Sequence, residues 1–332
     1  MNNNRPYAIG LDIGGTNITG AIIRNTGEIH EKISIDTNPD TNADEVLERV
    51  YMMIEELMDK SKVPIDDVSG IGVATAGVID SKENVIVFAN NLHWRNVQIG
   101  RLIGDRFALP IKLTNDANAA AIAEWVWGGG KAYQNMIYIT VSTGIGAGII
   151  SNGRLITGCD DSAGEFGHIT INADGPLCVC GNKGCVERYA SGTAIAEKVQ
   201  NQLKTEPHRK TYFGYENERL ITSKIVEEAA DQGDELALNA FKEAGYYLGI
   251  GITNLINLFN PEVIILGGGV MKAQRFMLPA IQETINERGI SALTKRVQLS
   301  ISSLDQEGGV LGGAGLFFME QPSLTNNTVD HG

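Results

Sequence analysis

The sequence predicts an α/β protein of two domains around a cleft, on three observations. The chain has 332 residues, enough for two hydrophobic cores. A strand, Gly-rich turn, strand pattern occurs at 7–35 (YAIGLDIGGTNITGAIIRNTGEIHEKISI) and again at 136–157 (MIYITVSTGIGAGIISNGRLIT). Short β-branched runs are interleaved with segments of helical period.

The first copy reads as three strands joined by the Gly-rich turn and by Asn25-Thr26-Gly27, a turn signal. A helix is expected over 43–60, where Val46, Leu47, Val50, Met53, Ile54 and Leu57 recur at helical spacing. GIGVATAGVID (70–80) reads as a buried strand, and the Ala-rich run after Asp116 as a helix. The second copy points to an internal duplication, and two such loops facing each other would clamp a nucleotide's polyphosphate tail. Polar residues 201–220 read as an exposed insertion or helix connection, followed by helices over 223–259. PEVIILGGGV reads as a strand, a triple Gly and a helix. GGVLGGAGLFFME (308–320) is a small-residue helix suited to packing on a sheet, and 321–332 is a frayed tail.

Composition excludes several classes of function. The net charge of −13 and the lack of a Lys/Arg run argue against DNA or RNA, whose binders draw affinity from counterion release. The polar start MNNNRP is no secretory signal, and the apolar runs are too short and interrupted for a membrane helix. A cytoplasmic protein is expected. Of four Cys, three crowd into 178–185, which in an intracellular chain reads as a metal site before a disulfide framework.

There is no G-x-x-x-x-G-K-[ST] loop and no convincing dinucleotide fingerprint. Phosphate candidates are instead Asp12-Ile13-Gly14-Gly15-Thr16-Asn17 and Ser142-Thr143-Gly144-Ile145-Gly146-Ala147-Gly148. Glycines let backbone N–H groups approach phosphate oxygens, and Asp12 at a strand end suits Mg²⁺ held through water. Alone, each loop also reads as a plain hairpin. Asp116 in Leu113-Thr114-Asn115-Asp116-Ala117-Asn118 has two readings: a helix N-cap, or the carboxylate that takes a proton from an acceptor hydroxyl in phosphoryl transfer. Gly267-Gly268-Gly269 reads as a close strand-to-helix turn or as a helix N-terminus offered to a nucleotide.

His168 with Cys178, Cys180 and Cys185 makes a complete tetrahedral Zn²⁺ set, structural because four protein ligands leave no open position. Glu165 and Glu187 flank it, and a rigid loop would hold them for sugar hydroxyls. His168 can use one ring nitrogen for zinc and leave the other for a ligand.

The ordered set DIGGTN, LTNDANAAA, STGIGAGII, GEFGHI, CVCGNKGCVE and PEVIILGGGV resembles the ROK family of sugar kinases and repressors, over residues 7–318. The resemblance implies an actin-like, ribonuclease-H-like fold of two α/β domains. These are 1–117, with 308–320 packing back on it, and 118–307, carrying the zinc module 164–187. It implies ATP with Mg²⁺ and a hexose as partners, glucose first, and a homodimer or homotetramer. Asp116 would be the catalytic base; Asn91, Asn115, Glu165, His168 and Glu187, with Gly77 in the adjoining wall, would bind sugar. Asp12, Gly14, Gly15, Thr16, Asn17, Thr143 and Gly144 would serve phosphate and Mg²⁺, and Gly268 with Gly269 the adenosine. Asn90-Asn91-Leu92-His93-Trp94 resembles the family's glucokinase stretch. Two departures stand out: Asn17 replaces a commoner Lys, and Val73–Gly77 replaces a Pro-Gly form beside the sugar. They leave N-acetylmannosamine, fructose, allose or a β-glucoside as alternative substrates. The family's repressors need a helix-turn-helix ahead of the first loop, and the first strand is expected at Tyr7.

Overall fold

Strand β1 (Tyr7–Ile13) is buried along nearly its whole length, which only a central strand can be. It pairs antiparallel with β2 (Asn17–Arg24) and parallel with β4 (Val68–Thr75). The edges of this first sheet are β3 (Ile29–Asp36) and β8 (Ile111–Asn115), in the order β3-β2-β1-β4-β8. Residues of β3 alternate between half-buried and exposed, as an edge strand's do. The computed structural model describes residues 5–38, 42–206, 210–213, 221–304 and 307–319.

The second sheet repeats the first. β9 (Met136–Val141) pairs antiparallel with β10 (Ile145–Ser151) and parallel with β12 (Val263–Gly267). β11 (Arg154–Leu155) and β13 (Gln298–Ile301) complete the order β11-β10-β9-β12-β13. A Gly-rich turn joins the first two strands in each copy, so the duplication read in the sequence is also a duplication of topology.

Helices cover the outer faces. α1 (Ala43–Ser61) starts at Asn42, whose side chain accepts from the Glu45 N–H, and it buries the six residues expected from its period. α2 (Ile99–Phe107) covers the same lobe, which also carries a small sheet of β5 (Val78–Asp80), β6 (Val85–Ala89) and β7 (Trp94–Val97). The second core gathers α4 (Glu187–Ala190), α5 (Gly192–Thr205), α6 (Ser223–Asp231), α7 (Glu235–Phe259), α8 (Gln274–Arg288) and α9 (Ser291–Thr294).

Several expectations change. Residues 70–80 are not one buried strand: β4 ends at Thr75, and the chain turns at Gly77 (φ +116) into β5 of the small sheet. The small-residue helix expected over 308–320 ends at Gly315. The polar stretch 201–220 begins inside α5, which runs to Thr205, because Ser191 caps that helix and its buried stripe continues to Leu203; part of the stretch, and the tail 321–332, lie outside the described residues. After Gly267-Gly268-Gly269 the chain makes a 3₁₀ turn over Gly269–Ala273 before α8 begins.

Between the sheets lie α3 (Asp116–Val126) and α10 (Gly308–Gly315). α10 packs on β1 and β4, and α3 on β9 and β10, so the two helices join the lobes. The small residues have a steric cause. A Cβ on Gly72 would collide with the Gly313 carbonyl, and one on Gly312 with the Ala119 carbonyl. Gly312→Ala is therefore expected to cost about 1–3 kcal/mol through overpacking. Denaturant unfolding measures it; an unchanged midpoint would show that the helices separate without penalty.

No helix among the described residues is long and apolar enough to cross a membrane.

Candidate active site

The first Gly-rich loop is a short turn closed by Gly14 N–H to the Asn17 carbonyl, 3.0 Å. Thr37 pins it from the end of β3: its hydroxyl donates to the Gly14 carbonyl at 2.6 Å, and its N–H to the Thr16 carbonyl at 2.7 Å. Thr75 donates to the Ile13 carbonyl at 3.1 Å. Both threonines are fully buried. The sequence reading passed them over, since an isolated Thr near a strand end carries no motif. Thr16 and Asn17 are exposed. Gly15 lies against Asn91, whose Cβ would stand 3.0 Å from a Cβ placed there, so the proposed sugar and phosphate residues adjoin. Gly77 has φ +116 and faces the Phe88 carbonyl, where a Cβ would collide. It serves the turn into β5.

Asp12 occupies the end of β1 with its carboxylate against the α-carbon of Gly309; only glycine leaves it room. Burial, and then the nearby Asp116 charge, raise its pKa to about 6. Two carboxylates close enough to repel each other beside the first Gly-rich loop are what a divalent cation would offset. Folding at neutral pH must ionise Asp12 against this shift. Its cost is absent below the ordinary carboxylate pKa, grows as pH rises to about 6 and persists above. Asp12→Asn is therefore expected to stabilise the protein at about pH 7.5 by up to about 3 kcal/mol, and not near pH 4. Melting at both pH values measures this; an equal shift at the two would refute the electrostatic origin.

Asp116 is the first residue of α3, and the cap is its neighbour. The Asn115 side chain accepts from the Asn118 N–H at 2.7 Å, which removes the cap as the explanation of Asp116. One Asp116 oxygen accepts from the Ala117 N–H at 2.8 Å. Its pKa is raised, first by desolvation, with the Glu165 charge adding and the backbone N–H bonds opposing. The side chain is nevertheless exposed: it stands on a cleft floor that water reaches, surrounded by protein on other sides. Capping uses the Asn115 carbonyl oxygen and leaves its amide N–H₂ for a ligand.

Gly164 and Gly167 lay the next segment flat on β10: a Cβ on either would run into the Ala147 or Ile145 carbonyl. That close approach places Glu165 and His168 beside the second loop. The His168 Nδ1 is 3.6 Å from the Cys178 sulfur, and its Nε2 is 3.9 Å from a Glu165 oxygen. The ring thus turns one nitrogen to the thiols and the other to the carboxylate.

The four candidate ligand atoms of His168, Cys178, Cys180 and Cys185 lie within 4.8 Å of one another. Cys180 and Cys185 sulfurs are 3.7 Å apart. Tetrahedral zinc with Zn–S of about 2.3 Å and Zn–N of about 2.0–2.1 Å demands S···S near 3.8 Å and N···S near 3.6 Å. The donor set fits that ion. Burial pushes the Cys185 thiol up to about 12, so ionising it calls for a cation in the cluster. Two residues on, Glu187 accepts from the Ile145 N–H at 2.9 Å and fills the space a side chain on Gly144 would need. Through Glu187 the cysteine cluster is tied to the second Gly-rich loop. Cys159 is exposed and outside the cluster.

The second loop is anchored as the first is. Its Thr143 carbonyl accepts from the Thr193 hydroxyl at 2.9 Å, and the Ser142 carbonyl from the Gly192 N–H at 2.7 Å. Beside it opens a cavity of about 440 Å³ lined by Thr143, Thr193, Gln200, Thr222 and Gly269. Gly269 reaches this space. Gly268, with φ +90, lies against the Val141 carbonyl and shapes the turn. Gln200 and Thr222 were not legible in the sequence, because one sits on α5 and the other is the residue that caps α6.

The chain has relatives of known name and known structure. The glucokinase of Halalkalibacterium halodurans is 33% identical over 319 residues, 96% of this chain and 97% of its own. A ROK glucokinase from Streptomyces griseus, solved with glucose and AMPPNP, superposes with a TM-score of 0.77 at 32% identity, covering 93% of this chain and 98% of that one. A ROK transcriptional regulator, a homolog of the E. coli MLC protein, superposes at 0.85 and 30% identity, covering 96% and 79%. The fold is thus the actin-like ATPase fold of the ROK kinases. With the ROK family model matching residues 8–320, the chain belongs to the ROK family.

Proposed function

We propose that this protein is an ATP-dependent sugar kinase that phosphorylates a hexose, glucose first, at its 6-hydroxyl. The observation that carries the reading is Asp116: uncapped, on a cleft floor, electrostatically coupled to Asp12 on the phosphate side and to Glu165 on the other. In the proposed reaction the hydroxyl oxygen bonds to the γ-phosphorus as the bond to the β–γ bridging oxygen breaks. The hydroxyl proton passes to Asp116, and ADP leaves. The raised pKa of Asp116 brings it closer to the operating pH, which suits a general base. Glu165, His168, Glu187, Asn91 and Asn115 are assigned to the sugar. Backbone N–H groups of both loops are assigned to the phosphates, and Mg²⁺ to the Asp12 side, where it would offset charge on the transferring group. The cavity by Thr143 and Gly269 is assigned to adenosine. Glucokinases among the relatives support glucose; N-acetylmannosamine, fructose, allose and β-glucosides remain the competing acceptors, because the Val73–Gly77 wall departs from the glucokinase form.

The regulator's higher superposition score favours a second reading, a sugar-sensing protein with the same pocket. A coupled ADP-release assay across these sugars, with Asp116→Asn as control, separates the two. Sugar-dependent ADP release that the variant lacks supports the kinase. Sugar binding without turnover, together with sequence-specific DNA binding, would support the sensor.

A further inference from the structure

On the far side of α3 from Asp116, a cavity of about 570 Å³ lies between the lobes, within the usual range for small-molecule sites. Its walls include residues of the two strands that end their sheets, β8 and β11. α3 contributes Asn118 and Trp125, two and nine positions after Asp116 and so about half a turn round the helix from it.

The polar groups on this wall are incompletely matched. Lys112 is half-buried; its ammonium donates to the Leu316 carbonyl and stands 4.7 Å from the Phe317 ring centre. Neither Lys112 nor Arg154, which also lines the cavity, has a carboxylate in ion-pair reach among the described residues. Desolvation alone lowers the Lys112 pKa. The acid Asp161 on the same wall is already engaged, accepting from the Ser81 N–H at 2.7 Å and the Ser81 hydroxyl at 2.9 Å. Asn118 is 2% exposed, and its unpaired carbonyl oxygen has almost no accessible surface, so it lies behind the wall and does not face the cavity.

We propose that this cavity is a second ligand site, for a small hydroxylated organic anion. Two cations without acid partners call for a phosphate or a carboxylate. Ser81 and Thr157, hydroxyl-bearing residues of the same wall, suit hydroxyl groups on the same molecule. Trp125 and the apolar remainder of the wall suit a carbon skeleton or ring face. A sugar monophosphate and a sugar acid both meet this description. The site does not depend on the kinase reading, since none of its residues belongs to the catalytic cleft.

The test is calorimetric titration of the full chain with ribose 5-phosphate, gluconate, neutral ribitol and inorganic phosphate. At least one of the two hydroxylated anions is expected to bind, more tightly than inorganic phosphate, with ribitol inert. Lys112→Met and Arg154→Ala are each expected to weaken that binding at least tenfold, while Asn91→Ala, which removes a side chain assigned to the sugar in the catalytic cleft, leaves it unchanged. Arg154 is exposed, so its variant removes charge without disturbing the core; circular dichroism checks both folds. Binding by neither anion overturns the proposal. So does equal binding of ribitol or inorganic phosphate, retained affinity in the Arg154 variant, or loss of affinity in the Asn91 variant. That last result would place the anion in the catalytic cleft.

Discussion

Asp116→Asn is expected to lower kcat by about a thousandfold, within the 10²–10⁴ range of a general base, while sugar and ATP KM values stay within a few-fold. Asparagine keeps the shape of the side chain and can still accept from the Ala117 N–H, which now takes one carboxylate oxygen. It cannot take the hydroxyl proton. The wild-type rate should rise with pH through a pKa above the ordinary carboxylate range, because desolvation and Glu165 hold Asp116 up. Removing the Glu165 charge with Glu165→Gln should move that limb to lower pH. Steady-state kinetics over pH checks both effects. Activity within a few-fold of wild type in Asp116→Asn would end the base assignment. An unmoved limb in Glu165→Gln would mean that another group titrates.

Metal removal is expected to act almost as strongly, through sugar affinity. Cys185 is fully buried, and its neighbours Cys178 and Cys180 lie on a tight turn held by Cys178 N–H to the Asn182 carbonyl at 2.7 Å. Little apolar surface holds this segment: Leu177 is 65% exposed and Val179 89% exposed. An ion would then supply the cohesion that burial does not, since metal binding is also local folding free energy. Cys185→Ser should lose one equivalent of zinc by elemental analysis and raise the sugar KM at least tenfold. Glu187 should lose its hold on the Ile145 N–H, so the ATP KM rises as well. A metal-free variant with wild-type KM values would reduce the cluster to an ornament of the fold.

The strands flanking the two Gly-rich loops, and the loops themselves, were legible because hydrophobic period and glycine punctuation are local signals. Asp116 was legible as a candidate, but the choice of which residue caps the helix was not. That choice depended on Asn115, whose side chain turns back to the Asn118 N–H, a rotamer that residue identity does not specify. The His168, Cys178, Cys180 and Cys185 set was legible because its members are close in sequence. Thr37 and Thr75, which hold the first loop, and Gln200 and Thr222, which line the cavity beside the second, come from separate elements with no shared spacing.

By itself the sequence determined the duplicated strand and loop pattern, the membership of the cysteine cluster and the list of candidate acids. These follow from covalent neighbours and from periods of 2 and 3.6 residues, which need no knowledge of the rest of the chain. Tertiary structure alone decided which acids face one another. The raised pKa of Asp12 exists because Asp116, 104 residues later in the chain (116 − 12), is brought close to it. Tertiary structure also decided how the lobes join. Gly72 and Gly312 are bare because the carbonyls of Gly313 and Ala119 press against them, and such contacts arise only when α10 returns to lie between the sheets. Electrostatic energy and steric exclusion depend on distance in space, and the chain sets that distance only when it folds.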